Sequence, residues 1–243
     1  MWIYLYPSGV ETEIKNVYIG KYVPWWEIDS NCIAYLHLRN NLDDEAGNYT
    51  WTMATNGSFN TSVADIPVAS LTYDNWYIAS TTNWPSISWS NSYTVSCWGM
   101  TSTGNIELFS YFNSPYMWIS LYKFKQWSTY KWYFTMYLWW YSGSAWFENY
   151  YAYNPWTTWH LYTVTYTPWS VKWYIDAVNV ASASATLSWT VTPWTTMEIW
   201  RHNKSTSFSP VWYYSDLLFD GKARTAQEIS DYYNATKWFY WIS

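Results

Sequence analysis

Two groups of side chains in this sequence have the chemistry of a binding site. The first is the acidic turn Asn41-Leu42-Asp43-Asp44-Glu45-Ala46-Gly47-Asn48. Asp43, Asp44 and Asn48 supply hard oxygen atoms of the kind calcium prefers. The competing reading is a solvated turn in which Asp and Asn bond their own backbone. The second reading is favoured, because the spacing matches no EF-hand or other strict calcium motif. The other group is Tyr73, Asp74, Asn75, Asn113, Tyr116, Tyr151, Tyr153, Asn154 and Asn203, which fall in or beside loops. Sugars present apolar C–H faces ringed by hydroxyls, so a sugar site needs flat aromatic rings together with directional amide or carboxylate groups. These residues qualify by composition, not by motif.

Catalytic chemistry has little support. His37, His160 and His202 lie on separate segments, with no His-x-His, His-Glu-x-x-His or Cys-x-x-Cys spacing for zinc and no visible nucleophilic triad. His160 reads as a packed or hydrogen-bonded side chain. No glycine-rich phosphate loop is present. The pair Glu27 and Asp29 alternates as glycosidase carboxylates do, but Asn31 and Cys32 follow and no second glutamate completes the pattern. The expectation is a protein that is not an enzyme.

Charge narrows the partners further. Twelve Lys and Arg against 17 Asp and Glu give a net charge of −5, without a basic run, which disfavours nucleic acid. Cys32 and Cys97 read as two buried free thiols. The N-terminal Met-Trp-Ile-Tyr-Leu-Tyr-Pro lacks the positive region of a signal peptide. The longest apolar-looking run, Trp132 to Tyr141, is well short of the ~20 residues a membrane helix needs. Residues 1–30 read as a leader or tether, with a short strand over Glu13 to Gly20 that Pro24 stops, and 31–243 as one domain.

The elements that must position these groups are strands. In Trp159 to Ala183, Tyr162, Val164 and Tyr166 alternate with Leu161, Thr163 and Thr165, and Val171, Trp173 and Ile175 alternate with Lys172, Tyr174 and Asp176. Pro168-Trp169-Ser170 and Asp176-Ala177 separate the strands, so the segment is a meander with tight turns. Further strands are predicted over Ile33–Leu38, Ala69–Ala79, Tyr93–Met100, Ile106–Phe112, Met117–Phe124, Lys131–Trp139, Phe147–Tyr153, Met197–Arg201 and Val211–Phe219. One helix follows, with Thr225 and Glu228 as a capping box and Ile229, Tyr232 and Tyr233 as its buried stripe. It is expected to cover one end of a sandwich and close an edge.

The Trp-His opening of the meander, its Lys-x-Tyr-Ile-Asp strand at Lys172 to Asp176, and Val178-Asn179-Val180-Ala181-Ser182 resemble the centre of laminin-G-like, concanavalin A-like lectin domains. Ile33 to Leu38 with the Asp44-x-x-Gly47-Asn48 turn is similar to that family's first strand and turn. Tyr214 to Phe219 followed by Ala226-Gln227-Glu228-Ile229 is similar to its last strand and closing helix. The resemblance spans about residues 31 to 237. It implies an all-β, two-sheet antiparallel jelly-roll sandwich with one short C-terminal helix.

Against this background, 24 Trp and 8 Gly are anomalous. A domain of this length at ~7% glycine would carry about 17. Trp156, Trp169 and Trp194 follow prolines where a type II turn would call for positive φ. Trp238 follows the helix at a common glycine position, and Trp51, Trp76 and Trp200 replace glycines of the family pattern. Trp98, Trp159 and Trp173 instead fall where family members carry aromatics. These positions point to a genome, such as that of certain uncultured bacteria or their viruses, in which UGA encodes glycine; the alternative is a real aromatic excess, whose indoles pack the sandwich or stay exposed.

The expected function is non-catalytic recognition of a glycan or cell-surface protein, without membrane insertion, with calcium as a candidate cofactor. A virion- or tail-associated protein, or one reaching the cell surface by a non-classical route, would fit this reading. A structural or decoration domain contacting protein is the alternative, and a glycoside hydrolase is a more distant one. Peptide mass spectrometry of protein from its natural source should give glycine masses at Trp51, Trp156, Trp169, Trp194 and Trp200. Tryptophan masses there would refute the recoding.

Overall fold

A computed structural model describes residues 29–53, 57–60, 64, 68–71, 79–82, 87–88, 90–101, 106–111, 116–126, 129–140, 143–151, 158–184, 190–191, 196–199 and 212–240. The leader over 1–28, with Glu27, lies outside these residues. So do Tyr73, Asp74, Asn75, Asn113, Tyr153, Asn154, Asn203, His202, Trp76, Trp156, Trp194 and Trp200.

The strands in chain order are β1 (Cys32–Leu36), β2 (Trp51–Met53), β3 (Gly57–Asn60), β4 (Val68–Leu71), β5 (Ala79–Thr82), β6 (Ile87–Ser88), β7 (Tyr93–Thr101), β8 (Ile106–Tyr111) and β9 (Tyr116–Gln126). They continue with β10 (Thr129–Trp140), β11 (Gly143–Tyr151), β12 (His160–Thr167), β13 (Ser170–Ile175), β14 (Val178–Ser184), β15 (Thr190–Val191), β16 (Thr196–Ile199) and β17 (Trp212–Asp220). One helix, α1 (Ala226–Thr236), runs into a 3₁₀ turn over Lys237–Tyr240.

Two antiparallel sheets form a β-sandwich. One has the order β14-β13-β12-β7-β17-β4-β3, with β1 also paired to β17, and the other has the order β11-β10-β9-β8-β16-β5-β2. A small third sheet pairs β15 with β6. The predicted strand over Ala69–Ala79 is corrected here: it is two strands, β4 and β5, in different large sheets. The first strand is also shorter than predicted, because Leu38 adopts a positive φ of 55° that ends the extended run.

The meander forms as its alternation requires. Tyr162 pairs with Ile175, Val164 with Trp173 and Tyr166 with Val171, and Tyr162, Val164, Val171 and Trp173 are all buried. On the other face Ser96 and Thr163 hydroxyls hydrogen-bond at 2.8 Å inside the protein, so both faces of β12 are covered. A buried hydroxyl without a partner would be costly; each of these satisfies the other. Asp176 and Ala177, at φ of 50° and 65°, form the two-residue turn between β13 and β14. Two positive φ values match the right-handed twist of paired strands.

The helix caps as predicted. Thr225 Oγ1 accepts from the Glu228 N–H, and the Glu228 side chain accepts from the Thr225 N–H. Ile229 and Tyr232 are buried, whereas Tyr233 is half-buried. The helix sits on a sheet face rather than at an edge. Trp98 stacks on Tyr240 at 4.3 Å and on Tyr233 at 5.7 Å, and its indole N–H donates to Thr236 Oγ1 at 3.1 Å. The sheet's edges are β14 and β3.

Three of the tryptophans expected to stand in for glycine are described, and none has a backbone that demands glycine. Trp169 occupies the Pro168-Trp169 turn without positive φ, with its indole exposed. Trp51 is buried in β2. At the helix end Lys237 is right-handed and the chain continues into the 3₁₀ turn, so Trp238 is no left-handed cap. Cys32 and Cys97 are buried free thiols, as read. Burial pushes the Cys32 thiol up to about 12.

Left-handed backbone is costly for a residue with a Cβ and free for glycine. Ala177→Gly should therefore raise unfolding stability by about 1 kcal/mol, read as a higher urea midpoint at unchanged slope.

Candidate functional site

Among the described residues, a group able to hold a ligand lines a recess of about 600 Å³ at one open side of the sandwich. Its walls are the loop Asn41, Leu42, Asp43 and Asp44, the segment Tyr49 to Met53 entering and forming β2, and Ser58 and Phe59 of β3. Strand β2 ends one large sheet and β3 ends the other. The recess therefore opens where the two sheets part.

Its loop wall is built by one carboxylate. Asp44 Oδ1 accepts from the N–H groups of Tyr35 and Ala46 at 2.9 and 3.1 Å, and Oδ2 from those of Asn48 and Tyr49 at 3.1 and 3.0 Å. Gly47, at φ 72°, turns the chain so that its N–H reaches the Asp44 carbonyl at 2.8 Å. Asn48 Nδ2 donates to the Ile33 carbonyl at 2.9 Å. Asp44 and Asn48 thus organise the backbone as the solvated-turn reading anticipated. Asp43, exposed, accepts from Asn41 Nδ2. Among the described residues no group of three or more His, Cys, Asp or Glu is arranged to hold a metal ion. The recess combines Tyr49, Trp51 and Phe59 with the exposed polar side chains of Asn41, Asp43, Thr50 and Ser58. Burial, reinforced by nearby Asp44, raises the Tyr49 phenol above its usual value and keeps it a neutral donor.

Of the predicted sugar-site residues, Tyr116 opens β9 opposite Trp139, and Tyr151 closes β11 opposite Trp132. The other seven lie outside the described residues.

A second cluster, barely marked in the sequence, fixes the segment that leads into the loop. Asp216 is fully buried at φ 51°, in a bulge of β17. Its Oδ1 accepts from His37 Nδ1 at 2.8 Å and Tyr35 Oη at 3.3 Å; its Oδ2 accepts from Arg39 Nη2 at 2.6 Å and Tyr240 Oη at 2.7 Å. Burial alone would raise this carboxyl, but Arg39 and the hydrogen bonds outweigh it and hold it at about 2. The only hint in the sequence was an Asp within the apolar Tyr214 to Phe219 strand.

His160 is hydrogen-bonded, as expected. Its Nδ1 lies 2.6 Å from Asp176 Oδ2, and its Nε2 lies 2.9 Å from the Thr158 hydroxyl. Asp176 Oδ1 also accepts from the Leu161 N–H at 3.0 Å, pinning the β13–β14 turn to the start of β12. Asp29, the remnant of the glycosidase-like pair, is salt-bridged to Lys222 at 2.9 Å and to Arg224 at 3.4 Å.

No family model matches the chain, and no curated protein sequence matches it. Solved structures do. The binding domain of botulinum neurotoxin serotype G is 15% identical with a TM-score of 0.62, matching 84% of this chain and 51% of that one. The binding domain of Paraclostridial Mosquitocidal Protein 1 is 12% identical with a TM-score of 0.63, over 84% and 52%. A botulinum neurotoxin type C structure, described by that toxin's interaction with two ganglioside molecules, is 17% identical with a TM-score of 0.64, over 86% and 52%. The fold is therefore that of these β-rich binding domains. The chain spans about half the length of the structures it matches.

Replacing Asp216 by Ala leaves Arg39 partly buried without its carboxylate, and should cost about 3–5 kcal/mol in unfolding stability. Because the native carboxyl is depressed, its contribution is complete above the unfolded value of 3.8 and is lost as pH falls through about 2. The stability gap between the wild type and Asp216→Asn should close over that window, as measured by denaturant unfolding.

Proposed function

We propose that this protein is a non-catalytic recognition module, a laminin-G-like lectin domain that binds a glycan on a cell surface. The recess between β2 and β3 carries the reading. Its volume lies within the ~300–1,000 Å³ of small-ligand sites. It joins aromatic rings to polar groups on a loop whose backbone Asp44 bonds and whose preceding segment Asp216 holds. A preorganised loop loses little entropy on binding.

The similar structures support the same class. One is described by ganglioside interaction, and another, a botulinum neurotoxin DC binding domain 14% identical to this chain, is in complex with rat synaptotagmin II. Glycan and protein receptors are thus both bound by proteins of this fold. The mixed aromatic and polar lining of the recess favours the glycan.

On a glycan array the protein should bind a discrete set of sugars, equally with calcium or with a chelator, because Asp44 and Asn48 are engaged by the backbone. Phe59→Ala and Asp43→Ala should each weaken that binding about tenfold. No sugar bound in either condition would sink the glycan reading and leave protein recognition.

A further inference from the structure

Charge is unevenly distributed along this chain. From Asn40 to Tyr122 the sequence contains no Lys, Arg or His, yet it carries Asp43, Asp44, Glu45, Asp65, Asp74 and Glu107. Every described residue that lines the recess falls within that stretch. The walls therefore bring two carboxylates, Asp43 and Asp44, and no cation. Arg39, the cation that precedes the loop in the chain, is committed elsewhere: its Nη2 donates to buried Asp216 at 2.6 Å, and its guanidinium lies 5.2 Å from the centre of the Phe239 ring.

The two carboxylates have different tasks. Asp44 is surrounded by four backbone N–H groups and holds the loop. Its field nevertheless reaches the recess: after burial, it is the second cause that raises the Tyr49 phenol, so it already opposes the formation of one anion there. Asp43 is exposed. Its Oδ2 accepts from Asn41 Nδ2, and its Oδ1 meets no donor among the described residues. A ligand in the recess thus faces an acceptor with one oxygen to offer.

We propose that the recess selects its glycan by charge, admitting uncharged or ammonium-bearing sugars and rejecting those that carry a carboxylate or a sulfate. This rests on glycan recognition at the recess and adds the class of the ligand. A sugar hydroxyl can donate to Asp43, and an ammonium group would make the stronger, charge-assisted bond. An anionic group would give up water on entering and find like charge in place of a partner. Rejection of that kind is specificity by an unfavourable term, independent of how well the rings of Tyr49, Trp51 and Phe59 meet the sugar.

The test applies the full chain, at low salt, to an array that sets uncharged glycans beside their sulfated and sialylated forms, and N-acetylglucosamine oligomers beside their deacetylated, ammonium-bearing forms. Uncharged and ammonium-bearing glycans should bind at least about tenfold more tightly than their acidic partners, and the margin should shrink as added salt screens the charges. Asp43→Lys, with circular dichroism to confirm its fold, should narrow the margin about tenfold, whatever it does to the affinity for the uncharged glycan itself. Asp43→Asn, which keeps the size of the side chain, should move the margin in the same direction by less. An acidic glycan bound as tightly as its uncharged partner would overturn charge selection and leave glycan recognition standing. A margin that neither salt nor the folded Asp43 variants change would do the same, because the discrimination would then lie outside the recess. If the wild type binds no glycan at all, both readings fall.

Discussion

One buried carboxylate ties the ends of the described domain together. Asp216 sits in the middle of the larger sheet and accepts hydrogen bonds from Tyr35, His37 and Arg39 near its first strand and from Tyr240 near its end. An ionised group in a protein interior persists only when paired and fully hydrogen-bonded. Here four side chains from two segments meet that demand, and in doing so hold the chain that leads into the recess loop. The bulge of β17 is the backbone's accommodation, since the left-handed φ of Asp216 aims its side chain at those partners. Asp44 repeats the principle at smaller scale, with four backbone N–H groups on a single carboxylate.

These two carboxylates differ in how far the sequence reveals them. Asp44 takes three of its four N–H donors from its own turn, so residue types and spacing suffice to read it as a self-bonded loop. Asp216 works with partners 24 to 181 positions away, and its place within an apolar strand is the one local mark of it. The same division runs through the fold. The meander and α1 were legible because alternation, two-residue turns and a capping box are short-range signals. The split of Ala69–Ala79 into strands of different sheets was not, because a change of sheet leaves no periodic trace.

Candidate sites follow the same logic. Loop composition drew attention to Tyr73, Asp74, Asn75 and their like, whereas the recess is made by two short edge strands brought side by side through the folding of separate sheets. Tryptophan had opposite lessons at different places. Trp98, Trp159 and Trp173, which fall where family members carry aromatics, are buried in the core, while the conformations at Trp169 and Trp238 are ones any residue can adopt.

The position of β17 also bears on how the molecule comes into being. Trp212–Asp220 is the penultimate element of the described chain, yet it is an inner strand, with β7 on one side and β4 and β1 on the other. During synthesis, the earlier strands of that sheet wait as three unjoined parts, β14-β13-β12-β7, β4-β3 and β1 alone, whose inner edges carry unpaired backbone groups. Such edges are templates for pairing with other chains, and closure over long sequence separations is slow. The nascent protein thus passes through an interval of exposed edges that ends only when its late strand is inserted, and such edges are where association with other chains competes with folding.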